Sequence, residues 1–477
     1  MNKINNIEVF LQPESVAVIG ATERPGAWGS FITNGLLSMQ YPGKIYPVNH
    51  RTNKIYGIST FTDILKVPGP VDLAILTIPE KQIEYVIKAC GEKGVKGITI
   101  ITAGFGESIE GGEDRERKMT QIAHSYNMRI LGPNISGTFN LHSEFMASPS
   151  RKGSILPTSL AAVCQGGFAF YDLMISGKSK GMGIGKFIHT GNECDLQVTD
   201  FLEYFGNDPQ VKGIIMYLET VRDGRRFIET ARKVAKKKPI IVHKAGWTEG
   251  GSRAAKSHTG ALGGRDEVFK GLFGQTNIIY SPSMELLLPL GHALIELPPM
   301  KGNRVGIITM GGSWGVPLTD CLEKNKIKVP ELSLALQSRL REIGMPPRAS
   351  TRNPVDIGAA GAMSLTPEIL IKIGEILLSS DEIDALIFHG FGRPGMEQDE
   401  NSIEWKFFLE IEKKVLRHYI KMQKEFSKPV MFGSIFSKWE SQAVHDLNED
   451  GIHFYDRLDE IAQILSLMHK HRKKSKH

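Results

Sequence analysis

Long apolar runs are missing from this chain of 477 residues. No stretch reaches the roughly eighteen apolar residues that a membrane-spanning helix needs, so no membrane partner is expected. The first residues, Met1-Asn-Lys-Ile-Asn-Asn6, hold no apolar core of a secretory signal, and the expected location is cytoplasmic. Cysteine is scarce. Cys90, Cys164, Cys194 and Cys321 stand far apart, with no CxxC pair. That spacing speaks against a zinc centre or a disulfide scaffold and for a reducing compartment, so no metal site is expected. An excess of one charge is also missing over most of the chain. The formal net charge is +6, but residues 469–477 alone hold five Lys/Arg and no acid. The positive balance is therefore a terminal appendage, read as a basic disordered tail, and no nucleic-acid partner is expected.

What is present is a globular composition, 41% hydrophobic, over a length that suits about three domains. Short β-branched runs alternate with helix-like segments. The first five runs are Val16–Ile19, Lys44–Val48, Leu73–Leu76, Gly97–Ile101 and Met128–Leu131. Near-continuous apolar runs predict strands covered on both faces, and their alternation with helices predicts an open α/β sheet. Leu160–Cys164, Gly185–Ile188, Gly213–Leu218 and Pro239–Val242 continue the pattern. A Pro/Gly linker, Leu297-Pro-Pro-Met-Lys-Gly302, opens a third one. Its strands are Val305–Thr309, Ala385–Phe388 and Pro429–Phe432, with a long helix over Ile403–Phe426. The predicted domains span 1–140, 150–297 and 302–468, with the tail at 469–477.

In open α/β sheets, ligands gather beyond the carboxyl ends of the strands. The first strand runs into Gly20-Ala-Thr-Glu-Arg-Pro-Gly-Ala-Trp-Gly-Ser30 and then a helix. Small residues let the backbone approach a phosphate, and the helix N-terminus favours its charge. There is no GxGxxG, and the second strand ends Val48-Asn49-His50, without the acid that a dinucleotide site sets on a ribose hydroxyl. A phosphate-bearing nucleotide is predicted in preference to NAD. Thr77-Ile78-Pro79, Thr102-Ala103-Gly104-Phe105-Gly106-Glu107 and Gly132-Pro133-Asn134 end the next three strands. Four such turns on one edge predict one extended ligand. Beyond Cys164, the turn Gln165-Gly166-Gly167-Phe168 opens a helix and is a second candidate anion cradle. A plain strand-to-helix turn is the alternative.

The most unusual stretch is the loop from Lys244 to Gly264. It holds six glycines and, apart from Trp247, almost no large side chain. A loop of about twenty residues inside a compact domain is a functional signal, and glycine permits wide backbone excursions. His258, between Ser257 and Thr259, is its one imidazole. A histidine on such a loop can be carried to a reactive group and away again. Against this stands a solvated surface histidine. Glu219 ends the Gly213–Leu218 strand. A carboxylate bonded to one ring nitrogen fixes the tautomer and leaves the other nucleophilic. His189 and His243 also end strands, outside any glycine loop, and are read as supporting or structural.

These motifs together resemble the NDP-forming acyl-CoA synthetase superfamily, which includes succinyl-CoA synthetase and the ADP-forming acetyl-CoA synthetases. Gly20-Ala-Thr-Glu-Arg-Pro-Gly26, Tyr46-Pro-Val-Asn49, Ile101–Glu107 and Gly132-Pro-Asn134 resemble its CoA-binding domain. Phe201–Pro209, Tyr217-Leu-Glu219, Asp223-Gly-Arg225 and Ser257-His-Thr-Gly-Ala-Leu262 resemble the α subunit, and Asn353-Pro-Val-Asp-Ile-Gly358 the third, ligase-like domain. The resemblance implies a Rossmann-like CoA-binding domain followed by two flavodoxin-like α/β domains. It implies coenzyme A on Gly20, Ala21, Thr22, Pro25, Gly26, Val48, Asn49, Ile78, Pro79, Thr102, Ala103, Gly104 and Asn134. It implies a phosphate or acyl site at Gln165, Gly166, Gly167 and Asn192, with His258 as the phosphorylated histidine and Glu219 orienting it. The family turn has serine before its first glycine and a small residue after, so Gln165 to Phe168 departs from it.

No length for an ATP-grasp module is evident, so an α-type subunit is expected. An ATP-grasp β subunit in an α2β2 hetero-oligomer would bring ADP/ATP and Mg. The implied reaction turns acyl-CoA, ADP and phosphate into a small carboxylic acid, CoA and ATP through acyl phosphate and phosphohistidine. Two alternatives stay open. One is a catalytically silent CoA-binding or regulatory protein; the other is a nucleotide-dependent oxidoreductase, disfavoured by the Asn49-His50 strand end.

Overall fold

The computed structural model describes residues 7–107, 111–251, 253, 266–358, 366–392 and 403–474. The chain forms two compact units, Met1–Ile175 with Gly183–Gly291 and Ser176–Met182 with His292–His477. The α/β class expected from the sequence is what forms.

The first unit holds two large sheets. In the first sheet β1 (Ser15–Ile19), β2 (Lys44–Val48), β5 (Leu73–Leu76), β6 (Gly97–Ile100) and β7 (Arg129–Leu131) run parallel in the order β2-β1-β5-β6-β7. All five residues of β1 are buried, as covering on both faces requires. A small hairpin, β3 (Lys54–Ile55) with β4 (Ile58–Ser59), lies in the connection after β2. The second sheet has the order β14-β13-β12-β10-β11-β8-β9. Its parallel strands are β10 (Leu160–Cys164), β11 (Lys186–His189), β12 (Gly213–Leu218), β13 (Ile240–Lys244) and β14 (Ile279–Tyr280). Two short strands, β8 (Thr138–Asn140) and β9 (Phe145–Ala147), extend it antiparallel beyond β11. One apolar core runs from Val16 and Val18 of β1 through Ala161 and Val163 of β10 to Phe201 and Phe205 of the helix Val198–Asn207. Each such valine or phenylalanine contributes about 1.5–3 kcal/mol on full burial, so the two sheets are held as one body.

The second unit holds β15 (Val305–Thr309), β16 (Val355–Asp356), β17 (Ala385–His389), β18 (Val430–Gly433) and β19 (Phe454–Tyr455), parallel in the order β16-β15-β17-β18-β19. Counting only parallel strands, all three sheets repeat one order, 2-1-3-4-5. The order reverses beside each sheet's first strand, and that is where a crevice opens. The long helix spans Ile403–Phe426, as the sequence predicts.

One expectation fails in the second unit. The basic tail does not begin at residue 469: the last helix runs Leu458–Lys474. Ile461, Ala462, Leu465 and Met468 are buried on one face and carry the helix into the charged run. Arg472 donates from Nη1 to the Met300 carbonyl at 3.1 Å, which satisfies a backbone acceptor. No helix among the described residues is long and apolar enough to cross a membrane.

Candidate active site

In the first sheet the crevice falls between β1 and β5. Gly20, just past β1, has φ +94°, and a Cβ there would lie 2.7 Å from Thr77 Oγ1. A Cβ on Gly29 would lie 2.1 Å from the Gly20 carbonyl oxygen, so helix and turn meet with no room for a side chain. Asn49 donates from Nδ2 to the Ala21 carbonyl at 2.8 Å and fixes the turn from the end of β2. Val48 is buried in β2, Thr22 accepts from the Arg24 amide at 3.2 Å, and Pro25 and Gly26 are exposed.

Between the two sheets of this unit lies a cavity of ≈ 1040 Å³. From the first sheet it is lined by Ile78, Pro79, Thr102, Ala103 and Asn134. From the second it is lined by Gln165, Gly166, Gly167, Asn192 and Glu219. Ala245, Gly246 and Gly251 of the glycine-rich loop complete that side. Of the residues expected to hold CoA, Gly20, Ala21, Thr22, Pro25, Gly26, Val48, Asn49 and Gly104 are outside the cavity wall. The first two and Asn49 shape the turn, and Gly104 donates its amide to Glu107 at 2.5 Å. His258 lies outside the described residues. The root of its loop is fixed: Trp247 packs on Tyr280 with ring centroids 5.2 Å apart, and on Phe269 and Phe273.

Gln165 explains its own departure from the family turn. Its side chain folds under the turn, away from any role as a short hydroxyl. Oε1 accepts from the backbone amides of Glu219 at 2.6 Å and Thr220 at 3.0 Å. Nε2 donates to Glu193 Oε1 at 3.0 Å. The same Glu193 oxygen accepts from Thr190 Oγ1 at 2.9 Å and the Val198 amide at 3.2 Å. Glu193 is buried, and burial outweighs these hydrogen bonds, pushing its carboxyl up to about 7. A chain from Glu193 through Gln165 thus sets the backbone of Glu219, which is itself 5% exposed.

The neighbouring histidine is a wedge. His189 Nδ1 accepts from the Ser136 amide at 2.7 Å, so its Nε2 bears the proton and donates to the Gln165 carbonyl at 3.0 Å. His243 stands beside Ser281, Nδ1 3.0 Å from its carbonyl, and burial pulls its pKa down. Each ring is thus held by backbone groups. Asn192 gives Nδ2 to Glu116 at 2.7 Å and Glu107 at 2.5 Å, so it ties the second sheet's loop to the first sheet. That loop is pinned again by a bidentate pair: Arg129 Nε and Nη2 each reach Asp195 at 2.8 Å.

Sequence reasoning missed Glu193, which reads as a loop charge, and it missed Arg24, Trp28 and Tyr217 of the wall. Arg24 adds a guanidinium suited to phosphate oxygens. A Cβ on Gly166 would lie 2.8 Å from Tyr217 Cε1, and one on Gly167 3.0 Å from His189 Cε1. Only bare backbone fits at this helix start, the arrangement that receives an anion.

Comparison with known proteins now decides the family. Residues 14–138 match the family described as CoA binding domain, and 157–294 match the succinyl-CoA ligase like flavodoxin domain. The α subunit of acetate–CoA ligase [ADP-forming] I of Pyrococcus furiosus is 34% identical over 99% of this chain and 99% of its own length. The chain belongs to the ADP-forming acyl-CoA synthetase α subunits. Two further likenesses agree with that family. The α subunit of acetate–CoA ligase [ADP-forming] II of the same organism is 38% identical over 80% of this chain and 81% of its own. A solved structure of the dinucleotide forming acetyl-coenzyme A synthetase 1 of Ca. Korarchaeum cryptofilum, in complex with phosphate and ADP, is 31% identical. Its TM-score is 0.83, over 100% of this chain and 98% of that one. As a member of the ADP-forming acyl-CoA synthetases, acid–thiol ligases, this chain carries their CoA-binding and ligase-like folds.

Proposed function

We propose that the cavity between the first two sheets is where this α subunit exchanges an acyl group between the sulfur of CoA and phosphate. One observation carries the reading: Ile78, Pro79, Thr102, Ala103 and Asn134 face the same cavity as Gly166, Gly167, Glu219 and the root of the histidine loop. The small and backbone-presenting residues at the first sheet suit an extended phosphate-bearing ligand such as coenzyme A. The bare turn at Gly166 and Gly167 suits inorganic phosphate.

In the direction of ATP formation, a phosphate oxygen attacks the acyl carbonyl carbon. The carbon–sulfur bond breaks, and CoA leaves with the proton that phosphate gives up. An imidazole nitrogen of His258 then attacks phosphorus, the carboxylate leaves, and the phosphoryl group rests on the ring. Glu219, with its backbone set by Gln165, is the residue that orients His258 and stabilises the charged, phosphorylated ring. The phosphoryl group passes to ADP, with its Mg, on an ATP-grasp β subunit in a cytoplasmic α2β2 assembly. The name "subunit alpha" borne by the two Pyrococcus relatives supports a partner chain.

The test separates the parts. Calorimetric titration of the chain alone is expected to find CoA binding at micromolar concentration and none for NAD. The chain alone should release no ATP from acyl-CoA, ADP and phosphate; adding the partner should restore it. NAD binding without CoA binding would overturn the assignment of the first sheet, and ATP release by the homogeneous chain would overturn the need for a partner.

A further inference from the structure

The second unit holds a compact His–Glu–His cluster, none of whose residues has a part in the mechanism above. His292 and Glu296 stand one turn apart at the end of the Leu287–Glu296 helix, so they share a face. His453 comes from the segment entering β19. Glu296 sits between the two rings, with Oε1 2.8 Å from His292 Nδ1 and Oε2 2.7 Å from His453 Nε2. The rings meet edge to face with centroids 4.9 Å apart, and the three ligand-type atoms lie within 4.8 Å of one another. The side chain of His292 is 0% exposed and that of His453 10%, whereas Glu296 is 37% exposed. The cluster is walled by protein and reachable from one side.

The hydrogen bonding of His453 is incomplete in a telling way. When Nε2 donates to Glu296, Nδ1 is left as a bare acceptor, buried and without a partner among the described residues. Asn448 Oδ1, another buried acceptor with no partner among the described residues, faces the same spot. A Cβ on Gly181 would lie 3.2 Å from the first and 2.8 Å from the second. Turning the Asn448 amide over does not help, because its Nδ2 already points to the Ser179 carbonyl at 3.5 Å. Two buried acceptors side by side are costly. Moving the ring proton to Nδ1 supplies the missing donor but turns the Nε2 lone pair towards a carboxylate. A cation at Nε2 removes that conflict as well.

We propose that His292, Glu296 and His453 bind one divalent transition cation of the zinc class. Two imidazoles and one carboxylate are a donor set suited to such an ion, with metal–ligand distances of about 2.0–2.2 Å and water at an open position. Donors around a tetrahedral ion of that size lie about 3.3 Å apart, so the present contacts need to open by roughly half an ångström. Each imidazole coordinates through a nitrogen without its proton: the His453 proton moves from Nε2 to Nδ1, beside Asn448 Oδ1, and the His292 proton moves from Nδ1, which faces Glu296, to Nε2. The ion would tie the Leu287–Glu296 helix to the start of β19.

The experiment uses the full chain, stripped with chelator and titrated with Zn2+ in competition with a chromophoric chelator. One Zn2+ per chain and a higher melting temperature on loading are expected. Glu296→Gln and His453→Gln should each weaken the affinity at least about 10-fold. A control, His469→Ala with His471→Ala, should not, which separates the cluster from chelation by the terminal helix. Absence of Zn2+ binding, or binding lost only in the control variant, would overturn the proposal. Crystals of the wild-type chain soaked in Zn2+ give a reading that needs no variant. An anomalous peak between the two rings supports the site, and its absence there at full loading refutes it.

Discussion

The second and third sheets share one strand order, and each follows its first strand with a Gly-Gly turn into a helix. At β10 the turn is Gln165-Gly166-Gly167; at β15 it is Met310-Gly311-Gly312. In the second sheet the turn lines an open cavity, and the third strand of the order, β12, delivers a carboxylate, Glu219, beside it. In the third sheet a carboxylate of the protein itself stands at the equivalent place. A Cβ on Gly312 would lie 2.6 Å from Asp356 Oδ2, so the protein's own carboxylate stands where an anion would approach the helix start. The strand β17 ends in His389, 1% exposed and packed on Trp314 with centroids 5.1 Å apart. Neither of its ring nitrogens has a hydrogen-bond partner among the described residues, and burial pushes its pKa down to about 4. Topology provides the crevice in both sheets; the residues at the strand ends decide whether it is used for chemistry or for packing.

The sharpest way to break this comparison is to remove one histidine from each side. With the partner chain present, His258→Ala should reduce ATP formation from acyl-CoA, ADP and phosphate to background. His389→Ala should leave that activity within a small factor and cost stability instead, measured as a lower melting temperature. Strong loss of turnover in the His389 variant, with the fold intact, would give the third sheet a chemical role that the comparison denies it. Next in size is Glu219→Gln, which keeps the shape and removes the charge. It should slow phosphoryl transfer about 10²-fold, at the low end of what a positioned acid–base group contributes, and leave CoA affinity nearly unchanged in a binding titration.

The two glycine turns offer a smaller contrast. Gly166→Ala must displace Tyr217 and narrow the anion turn, so turnover should fall further than the melting temperature. Gly312→Ala meets the Asp356 carboxylate and should show mainly as lost stability, about 1–3 kcal/mol.

Smallest of all are two opposite responses to pH. Glu193 holds its proton up to about 7 in the folded chain, above its ordinary value of 4.5. The folded state then binds more protons than the unfolded one, and this contribution to stability is lost as pH rises from 4.5 to 7. His389 has a folded value of about 4, below its ordinary 6.5. There the unfolded state binds more protons, and stability is lost as pH falls from 6.5 towards 4. Each slope is at most about 1.4 kcal/mol per pH unit. Denaturant unfolding across this range should show the first slope flattened by Glu193→Gln and the second by His389→Gln.

Much of the fold was legible because the signals are local. Apolar runs such as Leu160–Cys164 are strands by composition alone, and the Ile403–Phe426 helix carries its own period. The three-residue strands Thr138–Asn140 and Phe145–Ala147 were not, because they form only by pairing with β11 and each other. At the site, the glycine turns and Glu219 could be read from their places at strand ends. Glu193 could not, since in sequence it is one more loop acid, and only the fold buries it beside Gln165. The consequence of glutamine before Gly166 was illegible for the same reason. Its amide looks like a disturbance to the turn until the backbone of Glu219 is seen to need it. The terminal helix outran its expected end because its apolar face, not its basic composition, decides where it stops.

The most direct test of the account is to label the chain with radioactive phosphate in the presence of acyl-CoA and map the label. The account predicts acid-labile, base-stable phosphate on the peptide holding His258, absent from His258→Ala and slowed in Glu219→Gln. Label that persists in His258→Ala, or that maps to His189, His243 or His389, would contradict it.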